Sequence, residues 1–434
     1  MGCAGSIVVR LGGMFCFLLF LSLALARNET RVPPDIPLAE WLRGPNRSDF
    51  PWKVGFREPW LTFQQRHTVQ VRADFRQRDL RKRNISLDDL HFILKIAPEN
   101  QDWLPEQAYT HAEIKPEYGD ELSSIATFYA RPGKYKVALV AYDSKNRSGN
   151  VWHSNLTVPA VKDDPLPDTD RNLPIVQFLP QATTPRSPHG FGIHRVVFDS
   201  SAFGAGKLNL PVSNNQPIQL DVLVNLSLSD ASNFRDHQAP DWLYQANADT
   251  LLQIGNVISQ VALQNGCVRL TAIDVLRQET FVERTDGATM DWDKLARQVK
   301  DLQRIKIAAK VLSNQKNTGD VFASLVEELV DGPICQSAGP APLHVVAVVG
   351  DAFLFPSNAP RRVLHVRNES RAYYFKLMPI GAGNWDHLEA MLKPMHPTHF
   401  EFANSVRFRR ALAAFIDQLK TISQPAHPDS ATHP

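Results

Sequence analysis

Cysteine is scarce: the 434 residues contain four, and Cys3 and Cys16 lie in the first 26. Cys267 and Cys335 remain, and neither belongs to a CxxC pair, so Cys-based zinc clusters and dithiol redox chemistry lose their usual sequence basis. Charge of one sign is also missing. Lys+Arg 47 against Asp+Glu 45 gives a net charge of +2, which argues against a nucleic-acid binder built on a strong basic field. Glycine, at 22, is outnumbered by proline, at 31, which favours turns, β-edges and stiff connections. There is no Gly-x-Ser-x-Gly and no HExxH, so neither a nucleophile elbow nor a zincin helix is encoded. Beyond the N-terminus no stretch is apolar enough to span a bilayer.

What the chain does have is ordinary globular composition, 43% hydrophobic and 21% charged, long enough for two or three domains. Its start reads as an export signal. Arg10 supplies positive charge, an apolar run covers Met14 to Leu25, and Ala24-Leu25-Ala26 closes it with a small-x-small pattern. Cleavage after Ala26 is expected, ahead of an uncleaved N-terminal anchor, leaving no membrane span and a secreted or periplasmic protein. In an oxidising compartment two cysteines favour one disulfide, Cys267–Cys335, against the reading of two buried thiols. Sequons stand at Asn28, Asn46, Asn84, Asn146, Asn155, Asn225 and Asn368, and would matter in a eukaryotic secretory route.

Residues 27–55 are rich in Pro and Arg and read as an extended lead-in. Alternation follows: Val69, Val71, Ala73 and Phe75; Leu90, Phe92, Leu94 and Ile96; Tyr135, Val137, Leu139 and Ala141; then Val151 to Val158. Period-two patterning with turns between runs indicates an antiparallel β-sandwich over 56–158. Pro132-Gly133-Lys134-Tyr135-Lys136-Val137 resembles the late strands of immunoglobulin-like domains. Lys162-Asp163-Asp164-Pro165-Leu166-Pro167-Asp168 marks a boundary, and 159–214 reads as linker and bridging strands.

From Ile218 the pattern changes. Leu220, Val222, Leu223 and Val224 form a near-continuous apolar strand, as in a sheet covered on both faces. A helical stripe at Leu251, Ile254, Ile258 and Val261 closes at Asn265-Gly266. Strands follow at Val268–Ile273, Thr280–Val282, Leu343–Val349 and Tyr373–Leu377, and helices at 292–311, around Phe322 and Leu325, and around Phe408 to Leu419. This alternation implies an α/β, doubly wound, mostly parallel sheet over 215–422, with a polar tail at 423–434 expected to be disordered.

Ligands in such sheets sit beyond the carboxyl ends of the strands. There stand Asn225-Leu226-Ser227-Leu228-Ser229, Thr318-Gly319-Asp320 and Gly350-Asp351. On these residues the chain resembles the von Willebrand factor A-type domain, which carries an Asp-x-Ser-x-Ser signature, a Thr on a second loop and an Asp on a third as a metal-ion-dependent adhesion site. Ser227 and Ser229 match the serines, Thr318 the threonine and Asp351 the second aspartate, while Asn225 replaces the first aspartate. The resemblance implies a protein-binding face and a degenerate metal site. Mg²⁺ prefers charged oxygen ligands, and only Asp351 would bring charge at these positions. No cofactor is therefore expected, with Mg²⁺ at the degenerate site as the lesser alternative. In the A-type order the Val268 and Leu343 strands flank the Leu220 strand, so the loop after Cys335 must fold back for Cys267 to reach it.

Other candidates carry less. Gly204-Ala205-Gly206-Lys207-Leu208 lacks the remaining features of a phosphate loop. His387, His396 and His399, with Glu389, gather in a segment interrupted by Pro394 and Pro397, and read as solvated loop histidines. Arg72, Arg76, Arg78, Arg81, Lys82 and Arg83 are interleaved with acids and read as a solvated strand end or loop. The ranking that results is an exported, non-enzymatic interaction or adhesion module with a protein partner and no nucleic acid, ahead of a hydrolase or a structural envelope component. Non-reducing peptide mapping of the native exported protein should find Arg27 first and a peptide pair joined through Cys267 and Cys335. An intact Met1 in a soluble cytoplasmic pool, or two alkylatable thiols, would overturn the respective expectation.

Overall fold

The computed structural model describes residues 36–105, 108–111, 115–118, 120–179, 206–227, 241–287, 289–292, 294–295, 298–299, 318–332, 342–351, 362–366, 370–378 and 386–422. The described residues are mostly β, in antiparallel sheets plus one mixed sheet, with few helices.

The N-terminal part begins with a short helix, α1 (Leu38–Trp41), then β1 (Lys53–Leu61), β2 (His67–Arg76), α2 (Gln77–Lys82), β3 (Leu90–Pro98), β4 (Ala108–His111), β5 (Lys115–Tyr118), β6 (Glu121–Ala130), β7 (Gly133–Asp143), β8 (Ser148–Val158) and β9 (Val176–Phe178). One sheet runs β1-β2-β6-β5, with β9 also on β6, and the other runs β4-β3-β7-β8. The alternation has a physical outcome: Val69, Val71, Ala73 and Phe75 of β2 share one buried cluster with Phe92, Leu94 and Ile96 of β3 and with Tyr135, Val137 and Leu139 of β7. Each Val, Leu, Ile or Phe side chain so buried contributes on the order of 1.5–3 kcal/mol.

Three stretches differ from their sequence reading. The lead-in is not simply extended. Trp41 packs on Ile93, Val140, Tyr142 and Val151, covering the outer face of the β3 sheet. Asn150 Oδ1 accepts from the backbone N–H groups of Asp49 (2.6 Å) and Phe50 (3.0 Å), and Phe50 enters the inner core. The basic stretch turns through α2 rather than a loop, and its charges are solvated, with Arg72 on Asp74 (2.7 Å) and Arg78 on Asp120 (3.4 Å). The Pro/Asp-rich linker is docked where it is described. Asp164 pairs with Arg409 (2.6 Å), Leu173 is buried, and β9 pairs with β6. Proline and aspartate report the lack of regular structure there, but not the tertiary partner.

The C-terminal part comprises β10 (Pro211–Val212), β11 (Ile218–Asn225), α3 (Asp241–Ser259), β12 (Ala262–Leu263), β13 (Gly266–Asp274), β14 (Glu279–Asp286), α4 (Thr318–Asp331), β15 (Leu343–Asp351), β16 (Ser370–Leu377), α5 (His387–Leu392), β17 (Thr398–Phe402) and α6 (Ser405–Ile422). Six strands form one sheet in the order β14-β13-β11-β15-β16-β17. All its pairs are parallel except β13–β14. β11 is buried along its whole length. Leu220, Val222 and Val224 meet α3 and α6 on one face. Leu223 meets Phe322 and Val326 of α4, and Leu388 and Met391 of α5, on the other. Gly255 lets α3 approach, since a Cβ there would stand 2.3 Å from Val224 Cγ2.

The stripe read as closing at Asn265-Gly266 ends instead at Ser259. Gly266 opens β13 at φ +133°, where a Cβ would meet the Ile218 carbonyl oxygen at 1.9 Å. The histidine segment, read as loop, contains α5 and the edge strand β17. Most of the helix expected over 292–311, the tail at 423–434 and Cys335 lie outside the described residues. Cys267 stands at the amino end of β13 and is a half-cystine. No helix among the described residues is long and apolar enough to cross a membrane.

The two parts meet at buried charge. Arg409 of α6, 3% exposed, sends Nε and Nη2 to the two Asp164 oxygens (2.6 and 2.9 Å) and Nη2 to Leu166 O (2.7 Å). Gln65 Nε2 donates to Ser405 O (3.3 Å), Ser405 Oγ donates to Leu61 O (2.6 Å), and Phe63 packs on Phe402 and Phe408. Beside them burial, with the Arg409 charge, pushes the His67 pKa down to about 4. The imidazole is neutral in the fold and would charge near pH 6.5 when unfolded, so the unfolded state binds more protons over that interval. Stability present above pH 6.5 should therefore fall by about 3 kcal/mol as the pH drops toward 4. Asp170, raised by burial, contributes the opposite sign. The His67 part is thus read as the difference between wild type and His67→Gln in denaturant titrations at pH 7 and pH 4.5. Equal pH slopes in the two proteins would refute it.

Candidate functional site

The order of the mixed sheet reverses at β11, whose neighbours are β13 and β15. Parallel register aligns the carboxyl ends. Asn225 lies beside Ile273, Val224 pairs with Val349, and Gly350 pairs with Lys376. Asn225, Asp274, Asp351 and Lys376 therefore stand at one edge of the sheet, on four adjacent strands.

Three of the five matched residues stand at this edge, at or just beyond the ends of β11 and β15, and all three are buried: Asn225 (0% exposed), Ser227 (0%) and Asp351 (4%). Thr318, also buried, opens α4, which packs on β15. Ser229 lies outside the described residues. Asn225 Oδ1 accepts from Ser227 N–H (3.2 Å), which tightens the chain as it leaves β11. Ser227 Oγ donates to Asp274 Oδ1 (2.9 Å) and accepts from Leu276 N–H (3.2 Å). Asp274 also accepts from Arg277 N–H (3.0 Å) and faces Arg277 Nε at 3.5 Å.

Asp274 is a residue that sequence reasoning missed. It closes an apolar β13 and has no place in the Asp-x-Ser-x-Ser pattern, so only the parallel register places it against Ser227. A second group flanks Asp351. The Tyr374 hydroxyl is shared between Asp386 Oδ2 (2.9 Å) and the Asp351 carbonyl oxygen (3.1 Å). Lys376 Nζ lies 3.2 Å from Asp386, 3.4 Å from Glu389 and 3.7 Å from Glu401. Asp386 caps α5 through Leu388 N–H and Glu389 N–H. Full burial holds the Tyr374 phenol well above its usual pKa, and the Asp386 carboxylate adds to this. Burial works against the Lys376 ammonium, but Asp386 and Glu389 outweigh it and its pKa is raised. The alternation in β16 points to Tyr373, Phe375 and Leu377 as one apolar face, and Tyr374 and Lys376 occupy the other.

Among the described residues of this donor set, Asn225 and Ser227 are poorly placed to ligate a divalent cation. The Ser227 hydroxyl has both its proton and a lone pair committed. The Asn225 oxygen faces a backbone N–H, and its Nδ2 is buried with no hydrogen-bond partner among the described residues, presenting a donor where a ligand oxygen is needed. Asp274 is compensated by Arg277. The same burial leaves no room for a glycan on the Asn225 sequon, whereas Asn46, Asn84, Asn146 and Asn155 are exposed. The weaker candidates stay apart. His387 opens α5, His396 sits at φ 47°, and the His399 ring is 6.1 Å from that of Tyr374. Among the described residues no group of three or more His, Cys, Asp or Glu could hold an ion. Gly204 and Ala205 lie outside the described residues, and Leu208 is buried with its N–H on Gln260 Oε1 (2.8 Å).

No family model matches the chain, and no curated protein matches it. Among solved structures it is similar to a β-glucuronidase of Bacteroides uniformis, at 9% identity and TM-score 0.17 over 81% of this chain and 39% of that one. It is also similar to a family 123 glycoside hydrolase of Clostridium perfringens, at 7% identity and TM-score 0.21 over 81% and 72%. This chain thus spans about two fifths of the length of that β-glucuronidase. At those scores the likeness bears on neither fold nor activity.

Calorimetric titration with Mg²⁺ should give little heat with the unmodified protein. Asn225→Asp, which adds a carboxylate between Asp274 and Asp351, should raise affinity by about tenfold or more, or about 1.4 kcal/mol. Tight binding by the unmodified protein would overturn this reading of Asn225.

Proposed function

We propose that the chain is an exported, non-enzymatic interaction module: an immunoglobulin-like β-sandwich over 56–158 carrying a doubly wound A-type-like domain over 215–422. The carboxyl edge of its sheet would engage a protein partner without a bound metal. One observation carries the reading. Numbered within the mixed sheet, the strand order is 3-2-1-4-5-6, and the edge where it reverses collects Asn225, Ser227, Asp274 and Asp351. In doubly wound sheets that crevice is where ligands bind. Support for the Cys267–Cys335 bridge is the half-cystine at the opposite, amino end of β13, away from this edge. A secreted or periplasmic setting follows from the export signal.

The test is affinity capture from the native secretome or envelope with the mature protein as bait. Exposed Thr280 lies beside Ile273 at the carboxyl edge, and exposed Gln264 precedes β13 at the other end. Thr280→Arg and Arg277→Glu should reduce recovery of a discrete partner by about tenfold, while Gln264→Lys should leave it unchanged. Equal recovery by all three would place the contact elsewhere.

A further inference from the structure

A cavity of about 510 Å³ lies where the two parts of the chain meet. His67 at the start of β2, Arg131 after β6, the 160–171 segment and Arg409 of α6 wall it. The Arg409 charge is committed to Asp164, and its remaining N–H groups reach Leu166 O and Gln65 Oε1. This residue builds the wall and leaves no charge for a ligand.

Three other lining groups are different. Arg131 Nε, Asp170 Oδ1 and His67 Nδ1 are buried with no hydrogen-bond partner among the described residues, and His67 is only 5% exposed. Arg131 is held through Nη2, which donates to Arg171 O at 3.1 Å, so the guanidinium is fixed while its Nε is not used. Each buried group without a partner costs about 1–3 kcal/mol. The groups have opposite needs: a guanidinium N–H calls for an anionic acceptor, and a carboxylate oxygen for a cationic donor. A simple anion would satisfy Arg131 but face Asp170, with Asp164 and Asp168 also in the wall. A metal cation would satisfy Asp170 but face Arg131 and Arg171, and no three-ligand group of His, Cys, Asp or Glu occurs among the described residues. One water occupies about 30 Å³, far less than this space, while ligand pockets run to about 300–1,000 Å³.

We infer that this cavity binds a small zwitterion with an ammonium and a carboxylate on neighbouring carbons, the chemistry of a free α-amino acid. Its carboxylate accepts from Arg131 Nε and lies toward Arg171. Its ammonium donates to Asp170 Oδ1, and the neutral His67 ring supplies a further polar contact. The site stands apart from the strand-end edge and does not depend on the function proposed for that edge.

Thermal-shift and calorimetric titrations of the full mature chain test this, using each common α-amino acid up to about 10 mM, a range that reads Kd values into the millimolar regime. At least one should give a saturable stabilisation that its N-acetyl derivative and its amide do not give. Asp170→Asn, nearly isosteric, should weaken that binding by about tenfold or more with the far-ultraviolet circular dichroism unchanged. Arg131→Gln should do the same. The inference fails if no amino acid shifts the transition, or if acetate or the amide binds as well as the zwitterion. Unaltered affinity in Asp170→Asn would also refute it.

Discussion

The constraint on which the C-terminal part depends is a central strand with no exposed residue. β11 has parallel neighbours on both sides and is covered on both faces. Parallel neighbours require crossovers, and apolar faces require helices, so α3 and α6 cover one face while α4 and α5 cover the other. The two faces are not equivalent. One is uniformly apolar. The other carries Gln219 and Asp221, where Gln219 Nε2 donates to Asp221 Oδ2 (3.0 Å) and Arg284 Nε approaches Asp221 at 3.5 Å. The Arg284 Nη2 also donates to Leu329 O near the end of α4, so this polar group fixes where the helix stops. Burying it is tolerable because each member has a charged or hydrogen-bonding neighbour.

The same strand determines what stands at its carboxyl end. Once the chain leaves β11, a backbone amide meets the Asn225 side chain and the Ser227 hydroxyl meets Asp274. Those polar groups are buried by the sheet and must answer one another, which is why the edge is internally compensated rather than open. The junction cavity shows the contrary condition, with ionisable groups brought together from β2, the 160–171 segment and α6 and not all satisfied by protein.

Periodicity carried much of this organisation. The alternation of Val69 to Phe75 and the apolar run of Leu220 to Val224 are statements about solvent, and solvent exposure is what the two kinds of sheet differ in. Thr280 to Val282 was legible as an edge strand, and β14 is one, antiparallel on β13. Less legible were elements whose reason lies far along the chain. Trp41 covers Tyr142, Asp164 awaits Arg409, and Asp274 meets Ser227 across a strand register. β17 was hidden because Pro394 and Pro397 and the histidines around them resemble a loop, yet Phe400 and Phe402 supply its buried face. Among the candidate residues, Asn225, Ser227, Thr318 and Asp351 were singled out by motif. Asp274, Lys376 and Asp386 were not, since their neighbours are set by pairing rather than by spacing.

The outer covering of the β3 sheet has a kinetic side. Residues 38–50 are held by groups some hundred positions later: Asn150 bonds Asp49 and Phe50, Gly149 N–H donates to Asp49 Oδ2, and Arg47 bridges Val151. None of these contacts can form until β8 has been synthesised. Long-range closures of this kind slow folding, because the loop entropy is lost before any contact compensates it. During that interval the β3 sheet keeps its Ile93, Val140 and Tyr142 face bare. The nascent protein is therefore most exposed to self-association before residues 38–50 dock, and that segment acts as the latch that ends that period.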